Sequence, residues 1–149
     1  MDDLKDKGVY EISSDMKEKL QDFYGNYATE ADTLGAIKEV YKRDAYVMDT
    51  HTAVGYSVYN KYRTATKDDT YTLIASTASP FKFTRSVVES IDSQTSYESY
   101  NDFQLVEVLN KIGGVTVPKS IIGLEDRVIR HKEHIEKTEM EEIIRKSLR

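Results

Sequence analysis

Apolar side chains recur at helical spacing along much of this chain. Between Leu34 and Tyr41 they repeat every three or four residues, which predicts a helix that begins after Thr29 and ends near Arg43. A second stripe follows Asp49, which is a good helix N-cap. Similar patterns and start signals predict further helices at 14–23, 50–63, 80–91, 103–112 and 140–148.

Three short apolar runs between these helices are predicted as strands. They are Ala45–Met48, Tyr71–Ala75 and Val128–Arg130. Strands that alternate with helices usually pair in parallel, and the connection between the first two should be a right-handed crossover. The predicted fold class is therefore α/β, with a small parallel sheet of two or three strands flanked by helices. At least one edge of this sheet is expected to lack a partner.

A cluster of hydroxyl groups follows the second predicted strand. Ser76, Thr77 and Ser79 fall within four residues, and Pro80 takes the first helical position, where its missing N–H would have had no partner. Open α/β sheets usually bind ligands at the carboxyl ends of strands, next to helix N-termini. The turn is therefore a candidate for binding an anion or a ring. The alternative is that these hydroxyls only satisfy backbone groups.

Composition and charge limit the classes of function. The length of 149 residues and mass of 17.1 kDa fit one domain over residues 1–149. A net charge of -5 with scattered Lys and Arg argues against a nucleic-acid partner. No apolar run reaches the roughly 20 residues that span a bilayer, so no membrane partner is expected. With zero cysteines, disulfides and thiolate chemistry are excluded, and a cytoplasmic location is expected.

Two motifs carry a family resemblance. Met48–Val54 (MDTHTAV) and Ser76–Phe83 (STASPFKF) resemble the C-terminal part of threonine synthases, the pyridoxal-phosphate enzymes that convert O-phosphohomoserine and water to threonine and phosphate. The likeness extends upstream to Asp22–Thr29 and downstream to Gly114–Lys119. The resemblance therefore covers nearly the whole chain and implies the C-terminal segment of a fold type II pyridoxal-phosphate enzyme.

The chain departs from the family pattern at two positions. Many relatives have Pro where this chain has Thr50, and His where it has Ser79. Both helix starts keep a competent cap, since Asp49 and Ser79 can accept backbone hydrogen bonds. Any role that the family gives to that histidine does not transfer to this chain.

The resemblance implies roles for the residues of the hydroxyl turn. In this class of enzymes the ring nitrogen of the cofactor commonly meets a Ser or Thr hydroxyl, so Thr77 is the first choice for this contact and Ser76 the second. Lys82 and Ser79 are candidates for binding the phosphate ester of the substrate. The alternative for Lys82 is a solvated lysine in the first helical turn, without a binding role.

The resemblance also implies that an essential part is missing. The family's Schiff-base lysine lies in an early Ser-Phe-Lys-Asp type of segment and its cofactor phosphate in a Gly-Asn-rich loop, and neither pattern is found here. We expect the chain to be roughly the last third of such an enzyme and to be inactive without the N-terminal part. One alternative is a stand-alone, non-catalytic interaction domain, and another is a receiver-like α/β switch.

The histidines are candidates for packing, catalysis or metal binding. His51 is expected to be a packing and hydrogen-bonding residue that links Asp49 to the sheet, rather than a catalytic base. His131 and His134 have a spacing that suits two zinc ligands on one helical face, with Glu133 between them, but a third ligand is not evident. No metal site is therefore predicted.

Overall fold

The computed structural model describes residues 2–130, 132 and 134–148. The chain divides into two units, Met1–Val117 and Pro118–Arg149, and the prediction of one domain over the whole chain stays a prediction. The described residues of the first unit form six α-helices, α1 (Asp2–Lys7), α2 (Ser14–Lys19), α3 (Glu30–Asp44), α4 (Thr50–Thr66), α5 (Thr84–Ile91) and α6 (Asp102–Gly113). A 3-10 helix, Pro80–Phe83, leads directly into α5.

The predicted start of α3 is confirmed. The Thr29 side chain accepts a hydrogen bond from the Asp32 backbone N–H at 3.1 Å, and the Asp32 carboxylate accepts one from the Thr29 N–H at 3.0 Å. This reciprocal pair satisfies two backbone donors that the helix leaves open, and a cap of this kind typically contributes about 1 kcal/mol. The helix ends at Ala45, which adopts a left-handed conformation with φ 53°.

Four helices enclose the core of the first unit. Helix α3 packs against α4 and α5, and α5 packs against α6. The largest fully buried apolar side chains come from three of these helices, and they are Ile37, Val87, Val88, Leu105 and Leu109. Fully burying each such side chain contributes about 1.5–3 kcal/mol, so helix packing carries the stability of this unit.

The predicted α/β fold class is wrong for the described residues. None of them forms a strand, and the three segments predicted as strands are irregular. In Ala45–Met48, Val47 and Met48 are buried while Tyr46 is exposed, and the segment links α3 to α4. Tyr71 and Leu73 in the second segment are fully exposed, as are most of Val128 and Ile129 in the third.

The physical reason lies in hydrogen bonding across a sheet. A strand satisfies its backbone groups only on a neighbouring strand, and nothing in the described part of the chain offers one to Tyr71–Ala75. A short apolar run shows that a segment favours extended structure, but it does not supply the pairing partner. The parallel sheet flanked by helices is therefore replaced by helix-on-helix packing.

The second unit begins with a turn and ends with a helix. The backbone N–H of Ile121 donates to the Pro118 carbonyl at 2.9 Å and closes a single turn before Gly123. A 3-10 helix, Lys137–Glu139, precedes α7 (Met140–Ser147), close to the helix predicted at 140–148. Within the described ranges of both units, every helix is too short or too polar to cross a membrane.

Candidate functional site

The first turn of α4 is organised around a buried carboxylate. Asp49 is 1% exposed and caps the helix, as predicted. Its Oδ1 accepts the backbone N–H groups of His51 at 2.9 Å and Thr52 at 3.2 Å. Its Oδ2 accepts the hydroxyl of Thr52. Asp49 therefore closes the helix start with both of its oxygens.

These hydrogen bonds keep Asp49 ionised. Burial raises the pKa of the Asp49 carboxyl, but hydrogen bonds from the Thr52 hydroxyl and from the backbone N–H groups of Thr52 and His51 outweigh it, so the pKa lies below its ordinary value. An ionised carboxylate accepts hydrogen bonds and donates none. The Asp49 side chain is therefore a fixed acceptor in the interior.

The hydroxyl turn predicted from the sequence is attached to this carboxylate. The Oγ atom of Ser76 lies 3.0 Å from Thr52 Oγ1 and 3.4 Å from Asp49 Oδ2. This contact joins the irregular segment after α4 to the beginning of that helix. Although no strand precedes it, Ser76 therefore has a defined position.

Thr77 differs from its neighbour. It is exposed, and its hydroxyl makes no hydrogen bond to any of the described residues. Ser76 is anchored by its side chain while Thr77, the next residue, faces solvent with its donor unused. Of the two hydroxyls predicted to meet a cofactor ring, only that of Thr77 is uncommitted within the described chain.

A second contact joins the other end of the turn to α4. The imidazole of His51 and the phenyl ring of Phe83 have centroids 5.2 Å apart, and the Nδ1 atom of His51 lies 3.5 Å from Asp49 Oδ1. His51 therefore links Asp49 to the 3-10 helix, not to a sheet. The segment 76–83 is held at both ends by the first turn of α4.

The remaining predicted site residues lie on the 3-10 helix or at its start. The Ser79 Oγ atom accepts the backbone N–H of Phe81 at 3.3 Å, as expected of a cap, and the Ser79 hydroxyl proton is left for another acceptor. Lys82 is exposed, with Nζ 5.7 Å from the centroid of the Phe83 ring. Lys82 and Thr77 are not joined by a hydrogen bond in the described part of the chain.

This set of groups fits the ring side of a pyridoxal-phosphate site. It offers an uncommitted neutral hydroxyl at Thr77 and a cation at Lys82, while the Asp49 carboxylate is buried and contacts the Ser76 hydroxyl. A hydroxyl suits the pyridine nitrogen of that cofactor, and an ammonium group suits a phosphate ester.

An open groove between α3 and α4 lies outside this set. It encloses about 710 Å³ and is lined by Tyr24, Asp32, Glu39, Tyr56 and Lys61 among others. Its charged groups are already paired, since Lys61 Nζ lies 2.9 Å from both the Asp32 carboxylate and the Tyr27 carbonyl. The groove therefore offers no uncommitted cation to a ligand.

Comparison with known families decides which family the chain belongs to. The family described as "Threonine synthase, C-terminal" matches residues 52–144, which is more than half of the chain. The chain belongs to this threonine synthase C-terminal family. The matched range includes Ser76, Thr77, Ser79 and Lys82, so every predicted site residue falls within the family region.

Individual relatives agree with the family. The chain is 33% identical over 99 residues to threonine synthase of Schizosaccharomyces pombe, which covers 65% of this chain and 19% of that protein. It is 30% identical over 89 residues to human threonine synthase-like 1, which covers 59% of this chain and 12% of that protein. The protein of the same name from Macaca fascicularis is 29% identical over 89 residues. The chain therefore spans less than a fifth of the length of these relatives.

Thr52 is the residue of the site that the sequence interpretation missed. Its spacing of three from the N-cap Asp49 was a usable signal, because side chains at these two positions commonly bond at a helix start. Its contact with Ser76, 24 residues away, had no local signal. Among the described residues no cluster of His, Cys, Asp or Glu is suited to hold a metal ion, and the His131 and Glu133 positions lie outside them.

Proposed function

We propose that the chain is the C-terminal portion of a threonine synthase, which converts O-phosphohomoserine and water to L-threonine and phosphate. In this proposal the turn at Ser76 and Thr77 forms the wall of the cofactor pocket that faces the pyridine ring. The observation that carries it is the pairing of an anchored Ser76 with an exposed, uncommitted Thr77 hydroxyl inside the family region.

The cofactor would be pyridoxal 5'-phosphate, which supplies an electron sink for carbanion chemistry at the substrate. Thr77 positions its hydroxyl against the ring nitrogen and donates a hydrogen bond to it. Because a neutral hydroxyl does not stabilise a pyridinium charge as a carboxylate does, this contact favours the unprotonated ring. The inward orientation of Asp49 is consistent with that choice, since both of its carboxylate oxygens are occupied by hydrogen bonds within the protein.

Lys82 and Ser79 are the proposed contacts for the substrate phosphate. Lys82 carries an exposed ammonium group near the start of a helical segment, and Ser79 retains a hydroxyl proton after capping Phe81. Together they offer a charge-assisted hydrogen bond and a neutral one to phosphate oxygens.

The remaining catalytic and cofactor-binding groups are assigned to the missing N-terminal part. The relatives are several times longer than this chain, and the Schiff-base lysine and the phosphate-binding loop of the cofactor belong to segments that it does not show. The isolated chain is therefore proposed to be inactive, with that N-terminal part and O-phosphohomoserine as its partners. The cytoplasmic location stays a prediction.

The alternatives receive less support. A stand-alone interaction domain would cover its apolar surface, whereas Leu73 and Tyr71 are fully exposed three and five residues before Ser76. A receiver-like switch depends on an α/β sheet, which the described residues do not form. The exposed segment favours a chain that is completed by further protein.

Cofactor binding tests the role of Thr77. In the complete protein that contains this chain, Thr77→Val should weaken the affinity for pyridoxal phosphate about 3- to 10-fold, the effect of losing one hydrogen bond. Thr72→Val is the matched control, because Thr72 is also exposed in the same segment and its hydroxyl bonds only to the nearby Thr70 carbonyl, at 3.3 Å. Equal affinities of both variants and the parent, measured by spectroscopic titration, would overturn the proposal.

Substrate kinetics test the role of Lys82. Lys82→Gln should raise KM for O-phosphohomoserine about 10-fold, because a charge-assisted hydrogen bond to phosphate is lost. The control is Lys111→Gln on α6, which removes an exposed lysine of the same charge outside the site. An unchanged KM for the Lys82 variant in a phosphate-release assay would remove this residue from the site.

A further inference from the structure

The hydroxyl groups around Asp49 can be assigned donors and acceptors by counting protons. Thr52 has one hydroxyl proton, and the ionised Oδ2 atom of Asp49 accepts it. Thr52 Oγ1 therefore has no proton left for Ser76, whose Oγ lies 3.0 Å away. In that contact only Ser76 has a proton to donate.

The second contact of Ser76 leads to the same result. Its hydroxyl also lies 3.4 Å from Asp49 Oδ2, and a carboxylate oxygen only accepts. Whether the Ser76 proton is directed to Thr52 or to Asp49, it points into the protein. The side of Ser76 that remains open to a ligand carries lone pairs and no proton.

We infer that Asp49 and Thr52 are positioning residues that hold the hydroxyl proton of Ser76 inward, so that Thr77 alone donates to the ring nitrogen of the cofactor. This inference rests on the proposed function, and it decides between the two hydroxyls that the sequence left as alternatives. An unprotonated pyridine nitrogen is an acceptor, so it is repelled by the lone pairs of Ser76 and attracted by the Thr77 proton. Ser76 then serves as an acceptor for a different donor.

The arrangement of protons can be measured in the 149-residue chain without cofactor. In a mixture of light and heavy water, NMR isotope shifts at the side-chain Cβ atoms report how fast each hydroxyl proton exchanges. The Ser76 hydroxyl should exchange about 10-fold more slowly than the Thr77 hydroxyl, and Thr52→Val should remove most of that protection. Equal exchange rates for Ser76 and Thr77 in the parent chain would overturn the inference, whatever the cofactor does.

The direction of the hydrogen bonds can then be reversed. In Asp49→Asn, the side-chain amide can donate to Thr52, the Thr52 proton then passes to Ser76, and the Ser76 proton is released toward the ligand. The complete protein, loaded with pyridoxal phosphate labelled at the ring nitrogen, reports this through the ¹⁵N chemical shift. Thr77→Val should lose the hydrogen-bonded shift, Ser76→Ala should keep it, and adding Asp49→Asn to Thr77→Val should restore it in part.

The outcomes separate the two proposals. If Ser76→Ala loses the hydrogen-bonded shift while Thr77→Val keeps it, the inference is wrong and the proposed cofactor wall stands. If neither variant changes the shift, the proposed cofactor contact is wrong, and the exchange rates still decide whether Asp49 and Thr52 orient Ser76. Thermal unfolding of each variant verifies that it remains folded.

Discussion

The imidazole of His51 packs against the phenyl ring of Phe83, with centroids 5.2 Å apart and ring planes inclined by 52°. His51 belongs to the first turn of α4, and Phe83 is the last residue of the 3-10 helix. Together with the contact between Thr52 and Ser76, this ring pair fixes the candidate site on one helix start. The stability of the site therefore depends on that helix start.

Removing the ring should loosen this attachment. Phe83→Ala is expected to lower the free energy of unfolding by about 1–2 kcal/mol, because it removes partly buried apolar surface and an aromatic contact. The control is Phe23→Ala, where the parent side chain is 74% exposed and the loss should stay below about 0.5 kcal/mol. Urea unfolding of both variants measures the difference, and equal losses would show that the ring pair contributes nothing.

Acid should weaken the start of α3. Hydrogen bonds from Lys61 Nζ and from the Thr29 backbone N–H lower the pKa of Asp32 from 3.8 to about 2. A carboxyl whose pKa is lower in the folded state stabilises the fold above its ordinary pKa, and this contribution is lost as the pH falls from 3.8 toward 2. In unfolding curves recorded from pH 5 downward, Asp32→Asn should therefore show a smaller loss of stability than the parent. A parallel pH dependence in the two proteins would contradict this.

Two glycines should respond oppositely to the same substitution. Gly114 ends α6 with φ 62°, a left-handed conformation that costs residues with a Cβ atom about 1–2 kcal/mol. Gly114→Ala should therefore be destabilising by roughly that amount. Gly35 lies inside α3 with open space around its Cα, so Gly35→Ala should be stabilising by about 0.5–1 kcal/mol. Melting temperatures that move in the same direction would contradict the backbone conformation of Gly114 or the open space beside Gly35.

Two leucines distinguish the observed core from the predicted sheet. Leu105 on α6 is completely buried, and Leu105→Ala should cost about 2–5 kcal/mol through lost burial and a residual cavity. Leu73 is fully exposed, and Leu73→Ala should cost less than about 0.5 kcal/mol. Denaturant titration of the 149-residue chain gives both values. A large loss for the Leu73 variant would mean that this segment is packed after all.

The helix starts could be predicted because their signals are local. The capping box of Thr29 with Asp32 and the N-cap at Asp49 are formed by residues two or three positions apart, and both helices begin where the sequence predicts. The end of α3 was placed within two residues because its apolar stripe ends there. Such features need no information about distant parts of the protein.

The predicted sheet failed because strands depend on partners. Tyr71–Ala75 has the composition of a buried strand, but composition does not supply a neighbouring strand within the described residues. The site was predicted only in part, because one of its contacts also depends on a residue that is distant in sequence. The hydroxyls of Ser76 and Thr77 were visible in the sequence, whereas the bond that separates their roles joins Ser76 to Thr52, 24 residues earlier.

The uncovered side chains of Tyr71 and Leu73 have a practical consequence at the bench. Dyes that fluoresce on binding to apolar surfaces should bind the folded protein while its circular dichroism remains that of intact helices. Light scattering should then rise with concentration well below the melting temperature, because neighbouring molecules adhere through these two side chains.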